Sequence, residues 1–383
     1  MQKITIINDH VSHYRIPFFE QLKCALEARG ATLVVVYSVT SNPQYIQGDL
    51  PWAIRVPSYS IGKAVWQPVW RLSRDSDLVI LPQVSRNLHL YPLTLRFWAG
   101  GAKIALWGHG KSLQNLSKTS FVESSKTFVS RHVHWWFAYN DYSARIVRDL
   151  GFPAGRITSL NNSVDTASLR KARETLVSAD LDALKARLGI SGDNVAIYTG
   201  LLYKAKRIDF LIESCRKVRA EMLDFELIII GKGDDEEMIR EAARVSPWIH
   251  FVGPKGELEK VPYWSLSKLL LLPGVVGLTM VDCLALGLPM VTTAVPGHGP
   301  EIDYFRDGEH GIMLKNWKSS DAYADIIVEL LRNEDKRLAM ARRCLADGAV
   351  YSTEDMVGRF VDGVDAALSA PRYNGFLKDR AVK

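Results

Sequence analysis

The chain has 383 residues, 47% hydrophobic and 23% charged and without a low-complexity tract; this excludes a disordered or fibrous protein and exceeds what one core usually supports. Four cysteines (Cys24, Cys215, Cys283 and Cys344) lie far apart without a CxxC pair, which suits neither a zinc site nor a disulfide scaffold and points to reduced thiols in a cytoplasmic protein. The formal charge of +6 is uneven: through Asp165 there are 18 Lys+Arg against 10 Asp+Glu, and beyond it 30 against 32.

The first residues, MQKITIINDH, lead straight into a strand and are too short and polar for a signal peptide. KITIIND (3–9) is that strand, followed by a helical pattern IPFFEQLKCALEARG (16–30) that ends in glycine, and by the strand ATLVVVYS (31–38). DLVILP (77–82), AKIALWG (102–108) and WWFAY (135–139) are further buried strands, separated by amphipathic stretches such as YSARIVRDLG (142–151). The basic half also carries two aromatic-basic mixtures, LRFWAGGAK (95–103) and KTFVSRHVHWWFAY (126–139). They read either as a peripheral surface for anionic lipid headgroups or as core aromatics among solvated charges. No run of 18 uncharged apolar residues predicts a membrane span.

The alternation restarts after a charged helical connector at about 166–190. NVAIYTG (194–200), FELIIIG (225–231), IHFVG (249–253), KLLLLPG (268–274) and PMVTT (289–293) read as strands, with helices at 207–221, 235–245 and 279–287. Continuous apolar strands alternating with helices indicate a parallel sheet covered on both faces. The expected fold is α/β: two doubly wound, Rossmann-like domains in series, with a ligand cleft between their carboxyl edges. The expected boundaries are 1–168 and 169–351, with a final helix at about 352–383 packing back on the first domain.

No GxGxxG follows a strand and no GxxxxGK[ST] is present; IIIGKGDDEE (228–237) reads as a weak phosphate signal or as a tight turn before an acidic helix start. The loops after the second-half strands carry more. Lys204, Lys206 and Arg207 stand between a strand end and a helix start, either an anion site or a solvated basic turn. Glycines follow at 274 and 277, and at 297 and 299, where backbone could approach a ligand. Asp282 is a lone acid in the apolar run LPGVVGLTMVDCLALGLPM (272–290). Cations, an acceptor for ribose hydroxyls and close backbone are what a nucleoside diphosphate requires.

In order, GLLYKAKRIDFLI, LIIIGKGDDEE, IHFVG, LPGVVGLTMVDCLALGLPMVTT and GHGPEIDYFRDGEHGIML resemble the donor domain of family 4 glycosyltransferases of the GT-B fold. VSHYRIPFFEQL, IALWGHG and ITSLNNSVDT extend the resemblance over nearly the whole chain. It implies that Asp282 takes the second position of the family's E-x7-E motif, holding the ribose, the alternative being a self-satisfied helix acid. Gly274 takes the first, where an acid holds the donor sugar, so the spacing is kept and the motif is degenerate. In the family's GRLxxxKxxD pattern Leu201 replaces the Arg, Lys206 is the diphosphate lysine and Asp209 closes the pattern; Lys204 or Arg207 supplies the second cation. Gly299 offers backbone N–H, and Glu301 replaces the lost acid or is an ordinary first-turn helix acid. His109 of WGHG reaches the donor sugar or is structural. His13 and Arg15 bind acceptor and phosphate, or cap a helix.

The activity so implied is retaining, metal-independent transfer of a hexosyl group, from a nucleotide-sugar to a glycan or lipid-linked glycan hydroxyl in bacterial surface polysaccharide or glycolipid synthesis. No further cofactor and no nucleic-acid partner are expected. The alternatives are a GT-B nucleotide-sugar epimerase and an inactive transferase-like binding protein.

Overall fold

The computed structural model describes residues 1–40, 45, 48–84, 86–110 and 127–375. Lys126 of the second aromatic-basic stretch and the tail 376–383 of the expected last helix lie outside these. The chain divides into two compact units, residues 1–162 with 353–383, and residues 163–352. The first break falls slightly ahead of the 168/169 boundary read from sequence.

In unit 1 the strands are β1 (Gln2–Ile7), β2 (Ala31–Tyr37), β3 (Ala53–Arg55), β4 (Tyr59–Ile61), β5 (Ala64–Trp66), β6 (Leu78–Pro82), β7 (Lys103–Gly108), β8 (Trp135–Ala138) and β9 (Ile157–Ser159). All but β4 and β5 form one parallel sheet in the order β3-β2-β1-β6-β7-β8-β9; β4 and β5 are a separate antiparallel hairpin. The sequence reading missed β3, β4 and β5, which are short, and Tyr59, Ser60 and Ile61 are all exposed. The apolar runs are continuous because both sheet faces are covered. Ile4, Ile6, Leu33, Val35, Leu78 and Ile80 point to one side; Ile7, Val36, Val79 and Leu81 point to the other.

On the first side lies helix α1 (Ile16–Ala28), whose Phe18, Leu22 and Leu26 recur at helical spacing as a buried stripe. Beside it packs the C-terminal helix Thr353–Ser369, with Phe360 stacked on Phe137 at 4.4 Å between ring centroids. The second side is covered by α2 (Leu90–Trp98), through Leu90, Leu93 and Phe97, and by α3 (Asp141–Asp149), through Val147. Trp135, Trp136, Phe137 and Phe97 are buried, so these aromatics of the two aromatic-basic stretches are core. Trp70, Leu95 and Phe128 remain exposed. Among the described residues no helix is long and apolar enough to cross a membrane.

Unit 2 carries β10 (Asn194–Thr199), β11 (Phe225–Ile230), β12 (Ile249–Gly253), β13 (Leu269–Leu272), β14 (Met290–Thr293) and β15 (Gly311–Leu314). They form a parallel sheet in the order β12-β11-β10-β13-β14-β15. Its helices are α4 (Thr166–Glu174), α5 (Ser178–Leu188), α6 (Ile208–Glu221), α7 (Glu236–Val245), α8 (Val261–Leu266), α9 (Thr279–Leu286), α10 (Ser320–Arg332) and α11 (Glu334–Asp347). From β10 the chain winds outward to β11 and β12, then returns to the other side of β10 as β13. The loops leaving β10 and β13 therefore diverge, and a doubly wound sheet binds ligands in the crevice this opens at the strands' carboxyl ends.

Candidate functional site

Three loops meet at that crevice. The one after β10 makes a 3-10 turn, Lys204–Lys206, and ends at Arg207, which has φ 58° and caps α6. A left-handed backbone is unfavourable for a non-glycine residue and needs support. The Arg207 guanidinium supplies it, donating to Pro273 O at 3.2 Å and to Thr293 Oγ1 at 3.3 Å, with its carbon 3.8 Å from the Phe210 ring centroid. Arg207 therefore ties together the ends of β10, β13 and β14. Lys204 is exposed at the tip of the turn.

The loop after β13 is zipped to this turn. Val275 N–H donates to Ala205 O at 3.0 Å, and Lys206 Nζ donates to Val275 O at 2.5 Å. Gly274 sits where the two backbones touch: a Cβ there would stand 2.5 Å from Lys206 Cα and meet Ala205 O as well. The glycine at this position thus has a steric cause. No side chain fits unless the lysine loop moves. At Gly277, by contrast, a Cβ would meet nothing within 4 Å, so space opens at the start of α9.

The loop after β14 clasps the same segment. His298 Nδ1 accepts from Val276 N–H at 3.0 Å and its Nε2–H donates to Thr293 O at 2.9 Å. Gly299 N–H donates to Val276 O at 2.8 Å. That donor, expected to serve a ligand, is spent within the fold. The 3-10 turn Pro300–Tyr304 then buries Glu301 to 5% exposure, and its charge acts on Lys206. Burial pushes the Lys206 ammonium down to about 8, with Glu301 pulling the other way. The sequence left His298 without a role, since a lone histidine between glycines carries no pattern.

Asp282 is buried in the first turn of α9. Its Oδ2 accepts from Lys260 Nζ at 2.8 Å, and the same ammonium reaches the exposed Glu257 at 2.6 Å. Its Oδ1 is buried and meets no donor among the described residues. Burial raises the Asp282 carboxyl to about 6 against the pull of Lys260. The sequence reading sought a ligand as the partner of this acid and missed Lys260, which lies before α8 with no spacing rule linking it to α9.

The GKG turn packs against the loop after β10. A Cβ at Gly233 would meet Leu202 N at 2.9 Å, and Leu202 N–H donates to Lys232 O at 2.9 Å. These glycines let one loop backbone approach another. Glu309, His310 and Asp347 bring three donor groups together, but Arg306 and Arg343 pair with Asp347 and Glu309, making an ion-pair network.

In unit 1, His109 follows β7, half-buried and edge-on to Tyr139 at 4.2 Å. His13 is exposed before α1. Arg15 is 7% exposed: its guanidinium donates to Asn162 Oδ1 and to Met356 Sδ at 3.3 Å, and lies near the rings of Tyr14, Phe18 and Trp107. These contacts tie the start of α1 to Asn162 and to the C-terminal helix within unit 1.

Residues 193–333 match the family model described as "Glycosyl transferases group 1". The phosphatidyl-myo-inositol mannosyltransferase of Mycobacterium leprae (strain TN) is 28% identical over 152 residues, 38% of this chain and 37% of that protein. The chain spans less than half the length of the curated relatives it matches. Among solved structures, Anabaena HepE in complex with UDP-glucose aligns at TM-score 0.70 and 14% identity, over 97% of this chain and 100% of that one. A glycosyltransferase from Rickettsia africae ESF-5 aligns at TM-score 0.73 and 12% identity, over 97% and 99%. The fold is GT-B.

Proposed function

We propose that the protein is a retaining glycosyltransferase, which moves a hexosyl group from a nucleoside-diphosphate sugar to a hydroxyl of a glycan or lipid-linked glycan in bacterial surface polysaccharide or glycolipid synthesis. One observation carries the reading: the half-buried Lys206 ammonium, beside Glu301, stands where three strand-end loops converge on the crevice of unit 2. The match of residues 193–333 and the UDP-glucose held by HepE support it.

In this reading Lys206 receives the diphosphate. The bond from the anomeric carbon to phosphate oxygen breaks while that carbon bonds the acceptor oxygen on the same face. The acceptor proton passes to the departing diphosphate, so no separate carboxylate base is required. Negative charge grows on the leaving group as the bond breaks, and a fixed cation stabilises it more in the transition state than before. Lys206 is that cation, and no metal ion is called for. Glu301 holds sugar hydroxyls in place of the acid that Gly274 cannot carry. Asp282 takes the ribose through Oδ1, and His109 and His13 keep the sugar and acceptor roles that the family resemblance implies. A lipid-linked acceptor suits the exposed Trp70 and Leu95, since Arg71, Arg74 and Arg96 flank them and Arg96 lies over the Trp70 ring at 5.1 Å.

The test is a melting-temperature series with UDP, other nucleoside diphosphates and UDP-glucose, followed by transfer assays on those that bind. Ligand bound to the native state alone raises its melting point, by about 2.7 kcal/mol of stability at a hundredfold excess over Kd. A nucleoside diphosphate that stabilises and a sugar that is transferred are expected. No stabilisation by any nucleotide removes the donor reading. Binding with neither transfer nor epimerisation leaves a nucleotide-binding protein.

A further inference from the structure

We propose that His298 is a positioning residue for the donor site: as a neutral imidazole it fixes the peptide that aims Lys206, so nucleotide binding weakens when His298 takes up a proton. The proposal rests on the donor site placed above at the three loops, and it adds a residue and a pH response to it.

The chain of bonds is short. His298 and Gly299 grip Val276 from both sides, the imidazole Nδ1 accepting its N–H at 3.0 Å and the Gly299 N–H reaching its carbonyl at 2.8 Å. The adjoining Val275 carbonyl takes the Lys206 ammonium at 2.5 Å, and Val275 N–H is bonded back to Ala205 O. Behind the ring, Nε2–H is anchored on Thr293 O at 2.9 Å, at the end of β14. A carbonyl can only accept, so Nε2 must carry the proton, and Nδ1 must be bare to receive Val276 N–H. One tautomer of the neutral ring satisfies both bonds. Protonation at Nδ1 sets two donors against each other, and the clip on Val276 opens.

Burial and the nearby Lys206 charge favour the neutral form at ordinary pH. Burial lowers the His298 pKa from 6.5; the bond to Thr293 O opposes this, and the Lys206 ammonium adds to the lowering. From the neighbouring elements, Arg207 reaches Thr293 Oγ1 from the loop after β10, and Glu301 stands in the turn after Gly299. The segment after β13 presents Val275 and Val276, which carry no charge. Because the folded value lies below 6.5, the clip is intact at neutral pH and is lost only in acid.

The experiment measures UDP affinity by calorimetry from pH 7.5 down to the lowest pH at which the chain stays folded, for the native chain and for His298→Asn and His298→Gln. Each amide can accept and donate, but neither titrates. Protonation of UDP itself is common to all three and cancels in the comparison. We expect native affinity to fall over this range by up to about tenfold per pH unit beyond the fall in the amide variants, the limit for one linked proton. Parallel curves across the pH range in which the imidazole 15N signals show the His298 ring gaining a proton overturn the proposal, as does a ring that stays neutral until the chain unfolds or a native spectrum showing the Nδ1–H tautomer. Melting temperatures at each pH separate loss of affinity from loss of fold. A native chain that binds no UDP at pH 7.5 fails the donor reading itself, whereas native binding with parallel curves fails only the role of His298.

Discussion

Lys206 and Arg15 occupy equivalent places in the two units. Each is a cation in the first loop after a central strand, just ahead of the helix that crosses back over the sheet. Their surroundings differ. Lys206 donates to Val275 O, lies 5.9 Å from the Tyr203 ring centroid, and a carboxylate acts on it from a neighbouring turn. Arg15 spends its donors on Asn162 and Met356 and lies among three aromatic rings. What separates them is where the donors go: in the proposed reading Lys206 faces the diphosphate, whereas Arg15 donates to neutral groups of its own unit. Sequence position alone does not separate the two cases, because the groups Arg15 donates to lie 147 and 341 residues away.

The contrast breaks if the two substitutions behave alike. Lys206→Ala is expected to cut turnover by about 100-fold to 1,000-fold, the usual effect of removing one charge-stabilising donor, with a melting point close to native. Native turnover in steady-state assays would remove Lys206 from the chemistry. Arg15→Ala is expected to do the reverse, lowering stability in urea by about 2–4 kcal/mol through an emptied, desolvated site, while the protein still folded keeps its affinity for UDP. An unchanged unfolding midpoint would show that its aromatic surroundings contribute little.

Two smaller effects sharpen the account of unit 2. Gly274→Ala forces the Lys206 loop aside, at about 1–3 kcal/mol of stability, and weakens UDP binding through the displaced ammonium. Unchanged values of both would mean that the two backbones are less tightly apposed than described. Asp282 should impose a pH slope of at most one proton. Its folded value is raised from 3.8 to about 6, so its contribution is present below pH 3.8 and is lost as pH rises towards 6. Denaturation at a series of pH values should show that slope in the native chain and lose it in Asp282→Asn.

The sheets were legible because strands covered on both faces are continuous apolar runs such as FELIIIG and KLLLLPG, and the glycine-rich loops between them were legible by chemistry. Spacing and residue type placed Lys206, Glu301 and Gly274 in adjacent loops. They could not show that Gly274 is bare because a neighbouring backbone fills its place, since that is a distance between two loops far apart in sequence. The same limit hid Lys260 behind Asp282 and the clasp of His298 on Val276. Gly299 was misread for a related reason: a backbone N–H looks available in sequence, and only its carbonyl partner shows otherwise. The hairpin at 59–66 escaped because three-residue strands without a buried face carry no periodic signal.

The C-terminal helix Thr353–Ser369 has a consequence for how the protein is made. It belongs to unit 1, yet it is translated after the whole of unit 2. Phe360 meets Phe18, Trp107 and Phe137, so the first sheet leaves the ribosome with one face only partly covered, by α1, and waits through some 190 residues of synthesis for the rest of its cover. Unit 2, whose segments are contiguous, can close during that interval. During biosynthesis unit 2 should therefore be complete first, and the nascent first half should be the part that depends on chaperones.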